Sequence, residues 1–353
     1  MKLFECQNCG QPIYFENTVC ERCGLRLGFL SDAMTLSALK PDGERWRPLA
    51  APDRSLRLCL NAGHEACNWL LETDDGGDYC AACRFNRTIP DLAVPENLLR
   101  WRKIELAKHH LVYSLLKLHL PLKSRTEDPE NGLAFDFLAD ATDGPGPATT
   151  VLTGHDNGLI TLNVAEADDA ERERRRTEMG EPYRTLLGHF RHEIGHYYWD
   201  RLVRDTPALE SFRTLFGDER EDYGEALKRH YANGAPADWR ERFVSSYATA
   251  HPWEDFAETW AHYLHIIDTL ETARSFGIRI RPRIREGAEL QAEVDFNPYQ
   301  SGTMADVIDA WLPLTYAINS LNRSMGQPDL YPFILAPAVI EKLTWMHDLV
   351  HGR

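Results

Sequence analysis

Apolar residues spaced three and four apart mark the helices of this chain. Tyr183, Leu186, Leu187, Phe190, Ile194, Tyr197 and Tyr198 keep that spacing and predict a helix buried along one face. The patterns from Asn97 to Leu120 and from Pro252 to Ile266 predict two more. Two other runs read as strands, Leu133 to Phe137 and Thr150 to Val164. The second is broken at His155-Asp156-Asn157-Gly158, where the Asn-Gly pair suits a tight turn. Gly158 to Asn163 then reads as a strand just ahead of the first helix. The class expected is α+β, a mostly helical domain with a small mixed sheet.

The first ninety residues differ. They hold few apolar positions and every one of the eight cysteines, all before residue 84. A Pro-containing stretch from Ile89 to Pro95 separates this region from the helical pattern, predicting domains at 1–92 and 96–353. With 353 residues and 43% hydrophobic content, the chain is comfortable for two domains. Its formal charge is 39 minus 54, or −15, which opposes a phosphate backbone. Lys and Arg are interleaved with acids, and Arg172 to Arg176 lie inside an acidic run, so nucleic acid is not an expected partner. No charged segment followed by an apolar one opens the chain. Phe333 to Ile340 is far too short to span a bilayer, so a soluble, cytoplasmic protein without membrane contact is expected.

Six cysteines stand in CxxC pairs. Cys6, Cys9, Cys20 and Cys23 supply the two knuckles that bring four thiolates around one zinc ion. Gly10 and Gly24 follow the second cysteine of each knuckle, where positive φ lets the backbone turn under the metal. Cys59, Cys67, Cys80 and Cys83 supply a looser second set. His64, lying between its odd pair, is a poorer ligand candidate than a thiolate set already complete. Disulfides do not suit a reducing cytoplasm, and a thioredoxin-like pair lacks its βαβ pattern. Two structural zinc ions are expected, with metal binding coupled to folding because the region has so little to bury. Such modules dock proteins or read nucleic acid, and the acidic balance favours a protein partner or substrate.

His192-Glu193-Ile194-Gly195-His196 lies on the predicted helix, an HExxH pattern. Two imidazoles one turn apart beside a carboxylate form most of a catalytic zinc site, which needs a third protein ligand and an open position for water. A metzincin would carry Gly and His where Trp199 and Leu202 stand, and the aspzincin Asp is missing from Gly302-Thr303-Met304-Ala305. On the third predicted helix, Glu254 and Glu258 are one turn apart and point the same way. That arrangement resembles the gluzincins, and the segment from Tyr247 to Trp260 is similar to the corresponding stretch of anthrax lethal factor. The resemblance implies a zincin fold with Glu254 as third zinc ligand and Glu258 as acceptor for a ligand histidine. It further implies Tyr247 as donor to the oxyanion of a tetrahedral intermediate. Over its full length, including Cys80-Ala-Ala-Cys83-Arg-Phe-Asn-Arg-Thr-Ile-Pro-Asp-Leu92, the chain resembles a bacterial family of zinc-binding metallopeptidases with an N-terminal zinc ribbon.

The expected activity is hydrolysis of a peptide or protein by a zinc-activated water, with Glu193 as proton carrier and Tyr247 assisting. Two other readings stay open: an interaction scaffold whose metal site is vestigial, and a hydrolase of non-peptide amides. His189 is expected to pack or to support a ligand. His109 and His110 read as packing or surface residues. His251, His262 and His265 flank the acidic pair as weaker candidates for metal or substrate contact, and Asp255 points away from Glu254. Tyr197, Tyr198, Trp199, Phe256 and Trp260 read as core. The gap from His196 to Glu254, with its charged helix and the loop Gly234 to Ala237, offers a lid or specificity element.

Overall fold

A computed structural model describes residues 2–71, 77–140, 151, 153–284, 290–300 and 302–353. Its packing divides the chain into two units, Met1–Met179 and Gly180–Arg353.

In the first unit, strands β1 (Phe4–Glu5) and β2 (Pro12–Ile13) pair antiparallel across the first knuckle. Gly10 donates to the Cys6 carbonyl and Gly24 to the Cys20 carbonyl, both at 2.8 Å, and both glycines have φ of 71°. The two knuckles therefore share one turn geometry, and glycine takes it without strain. Strands β3 (Leu27–Leu30), β4 (Thr35–Asp42) and β5 (Arg45–Pro48) follow as an antiparallel sheet. The expectation of a region with too little to bury is corrected here. Phe15 and Phe29 pack edge to face at 4.9 Å, Trp69 lies 4.8 Å from Phe29, and Leu30, Leu39 and Leu70 form a further cluster. A few large rings do the work of many aliphatic side chains.

The second knuckle leads into β6 (Asn86–Thr88), then α1 (Pro95–Lys117), β7 (Ala134–Leu138), β8 (Gly154–Asp156), β9 (Leu159–Asn163) and α2 (Asp169–Met179). The sheet order is β6-β7-β9-β8, parallel except for the β8–β9 hairpin, which turns at Asn157-Gly158. In the expected strand run over 150–164, positions 150 and 152 lie outside the described residues. Helix α1 closes over the cysteine-rich region through Tyr113, which meets Phe15 at 5.4 Å and Phe29 at 6.1 Å. Shared burial thus carries the first unit past the Pro-containing stretch 89–95 to Met179.

The second unit contains α3 (Leu186–Leu202), α4 (Ala208–Phe216), α5 (Tyr223–Asn233), α6 (Pro252–Ser275), the short pair β10 (Arg279–Ile280) and β11 (Ala292–Glu293), α7 (Met304–Ser324) and α8 (Pro337–Val350). Helix α6 is its axis. Phe256, Trp260, Tyr263, Leu264, Ile267 and Leu270 are all fully buried along it, and α3, α4, α7 and α8 pack around it. Thr185 caps α3 by accepting from the Gly188 amide at 2.9 Å. Where α3 crosses α6, a Cβ on Gly195 would stand 3.0 Å from the Ala257 Cα. Only glycine allows that approach. Among the described residues no helix is long and apolar enough to cross a membrane.

Candidate metal centres

Four thiolates meet twice in the first unit. Cys6, Cys9, Cys20 and Cys23 form one group, and Cys59, Cys67, Cys80 and Cys83 form a second that is wholly buried. The sulfur separations are 3.7 Å for Cys6–Cys23, 3.6 Å for Cys9–Cys20 and 3.7 Å for Cys67–Cys80. A tetrahedron with zinc–sulfur bonds of about 2.3 Å has edges of about 3.8 Å. These separations match the edge that zinc requires, the sulfurs of each group all lie within 4.8 Å of one another, and none of the eight cysteines is in a disulfide. His64 is exposed and belongs to neither group among the described residues.

The second group has a neighbour that spacing does not reveal. His109, read from sequence as a packing or surface histidine, is buried with Nε2 3.3 Å from Cys67 Sγ and 3.6 Å from Cys83 Sγ. Its Nδ1 donates to the Glu105 carbonyl at 2.5 Å. Burial pulls the imidazolium down, but Cys83 and Glu105 together hold it above its ordinary value. Glu105 is itself paired with Lys108 at 2.8 Å, and Lys108 also reaches Asn86. One face of α1 is thereby committed to this cluster. His110, one residue on, binds Glu16 at 2.9 Å.

The third group lies in the second unit. His192 Nε2 is 3.0 Å and His196 Nε2 is 3.5 Å from the same oxygen, Glu254 Oε2. These distances bracket the edge of about 3.4 Å expected for ligands about 2.0–2.1 Å from zinc. Glu254 Oε2 is buried and makes no hydrogen bond. His192 Nδ1 donates to Glu258 Oε1 at 2.7 Å, which leaves the Nε2 lone pair facing that carboxylate oxygen. Two acceptors so close repel unless a cation or proton stands between them. The donor set therefore fits zinc.

The surrounding charges fit as well. Burial raises Glu254, but positive charge on His196 and His192 outweighs it and holds the carboxyl well below its ordinary range, the same effect a cation between the three groups would have. Burial raises Glu193 with support from Glu254 and Glu258, although both histidines oppose it. The Tyr247 ring lies 5.9 Å from His192, and the Trp253 ring covers His196 at 3.9 Å.

Two contributors have no sequence signal of their own. Ser245 donates to Glu258 Oε2 at 2.5 Å and accepts from the Ala248 amide at 3.1 Å, so it ties Glu258 to the turn that carries Tyr247. Tyr223 donates to Glu254 Oε1 at 2.6 Å. The remaining candidates serve the scaffold. His251 caps α6 through the Trp253 amide, His262 binds the Tyr331 hydroxyl, His265 binds Arg191, and Asp255 pairs with Lys342.

Cysteine clusters of zinc-ribbon type followed by a mostly helical unit with a His–His–Glu centre define a zinc-binding protein, and the protease-like motif narrows the class further. Residues 97–349 match the family described as "Putative zinc-binding metallo-peptidase", and residues 3–94 match a zinc-ribbon domain. The chain belongs to that metallo-peptidase family. It is 44% identical over 351 residues to the uncharacterized proteins Rv2568c of Mycobacterium tuberculosis and Mb2598c of Mycobacterium bovis. Those alignments cover 99% of this chain and 95% of each relative. No solved structure matches the chain.

Proposed function

We propose that this chain is a zinc-dependent peptidase whose catalytic metal is held by His192, His196 and Glu254, in the manner of a gluzincin. The convergence of two imidazole nitrogens on one unbonded carboxylate oxygen, with Glu193 in the same helical turn, carries this reading. Zinc in such a site supplies Lewis acidity, lowering the pKa of a water and polarising the scissile carbonyl. Glu193 takes the proton of the attacking water and delivers it to the leaving amine. Tyr247 donates its hydroxyl to the developing oxyanion, and Glu258 fixes the His192 tautomer. The two four-cysteine groups hold structural zinc.

A structural zinc site has no use for a buried acid such as Glu193, which favours catalysis over a scaffold role. The test is cleavage of a proteome-derived peptide mixture, read by mass spectrometry with and without chelator. The wild type should cleave only with its metal, and Glu193→Gln should keep three zinc ions per chain and cleave nothing. Tyr247→Phe should keep its metal at a reduced rate. Turnover in Glu193→Gln removes the proton-carrier role, and no cleavage by metal-loaded wild type removes the peptidase reading.

A further inference from the structure

The long segment between His196 and Glu254 delivers Tyr223 to the metal centre, besides Ser245, Tyr247 and Trp253. We propose that Tyr223, at the first position of α5, is a positioning residue that holds Glu254 with Oε2 turned toward both histidines. The proposal rests on the reading of Glu254 as a zinc ligand.

Rotation about the last torsion of a glutamate costs little, so the carboxylate plane of an untethered Glu254 can turn and carry its lone pairs away from the two histidines. The Tyr223 hydroxyl removes that freedom. It donates to Oε1 at 2.6 Å while Oε2 stands 3.0 and 3.5 Å from the two ring nitrogens. A phenol is a donor at neutral pH, and a hydrogen bond to a charged acceptor is among the stronger kinds.

The tyrosine is itself held. Its ring stands edge-on to His251 at 5.3 Å and to Trp253 at 5.7 Å. His251 Nε2 donates to the Glu221 carbonyl at 3.1 Å, and Asp222 caps α5 by accepting from the Glu225 amide at 2.9 Å. The start of α5 is thus fastened to the start of α6, and His251 serves both helices. Tyr223 remains 38% exposed as a residue while its hydroxyl reaches the buried Glu254.

Tyr223→Phe in the full chain removes the hydroxyl and keeps the ring packing. A chelator titration that counts zinc ions per chain reads the result. Loss of a partner that orients a metal ligand costs about 10–100-fold in affinity, and the third ion should leave that much more readily while the two cysteine-held ions stay. Cobalt exchanged into the third site should show an altered visible spectrum in the variant. Unchanged affinity and spectrum would overturn the proposal, because a tyrosine that only packs is replaced by phenylalanine without effect. Equal weakening of all three sites would overturn it too, since that marks a general loss of structure. Glu254→Ala separates the two readings. If Glu254→Ala leaves the third ion in place, the ligand assignment fails. If Glu254→Ala releases the ion and Tyr223→Phe does not weaken it, only the role of Tyr223 fails.

Discussion

Gly195→Ala tests whether the helix crossing sets the metal centre. The added methyl would stand 3.0 Å from the Ala257 Cα, 3.2 Å from the Trp260 Cβ and 3.3 Å from the Trp260 Cγ. Carbon atoms rest about 3.5–4.0 Å apart, so α3 and α6 must part by roughly half an ångström. The nearest obstacle is backbone, and no rotamer change relieves it. Overpacking of this kind costs about 1–3 kcal/mol, against which alanine gains about 0.8–1 kcal/mol of helix propensity. The net loss in the metal-free protein should lie between about 0 and 2 kcal/mol by denaturant unfolding. The larger effect falls on zinc. His192 and His196 lie on α3 and Glu254 on α6, three residues before Ala257. A displacement of half an ångström exceeds the tolerance of about 0.2 Å in metal–ligand distance. Third-site affinity, read by chelator competition, should fall about tenfold or more. A variant stabilised by about 1 kcal/mol with unchanged zinc affinity would show that propensity alone decides this position and that the crossing distance does not govern the site.

Glu254→Ala should lower the zinc content from three ions per chain to two by elemental analysis; a content still at three places the third ligand elsewhere. Lys342→Met removes the partner that lies 2.6 Å from the fully buried Asp255. Breaking such a pair costs about 3–5 kcal/mol, and the lower end applies because Asp255, pushed up to about 7 by burial against the pull of Lys342, can escape by taking a proton. An acid raised on folding stabilises in its protonated form, and that contribution is lost as pH rises through the folded pKa. Asp255 ionises in the wild type only above about pH 7 and without Lys342 should stay protonated to still higher pH. The deficit of Lys342→Met should therefore be flat below about pH 6 and grow from about pH 7 upward, and a deficit independent of pH across that range would refute the argument.

The chemistry legible in the sequence is the part built from local spacing. His192 and His196 four apart, Glu254 and Glu258 four apart, and the CxxC knuckles each lie within a few residues of chain, so a helix or a turn is enough to align them. The Asn157-Gly158 turn and its flanking strands are legible for the same reason. What joins those pieces comes from tertiary structure. Tyr223 meets Glu254 across 31 positions, Ser245 meets Glu258 across 13 and His109 meets Cys67 across 42. No period in the sequence relates residues at such separations, because their meeting depends on how whole elements cross. Position 195 shows the division most plainly. In the sequence it is an unassigned place within HExxH, while in the fold a single added carbon there meets the backbone of the helix that carries Glu254. Local spacing along the chain sets which groups are able to bind metal and in which short segments. The packing of α3, α5 and α6 decided that one carboxylate oxygen faces two imidazoles while a tyrosine holds the other, because only burial between helices fixes side chains that local structure leaves free to rotate.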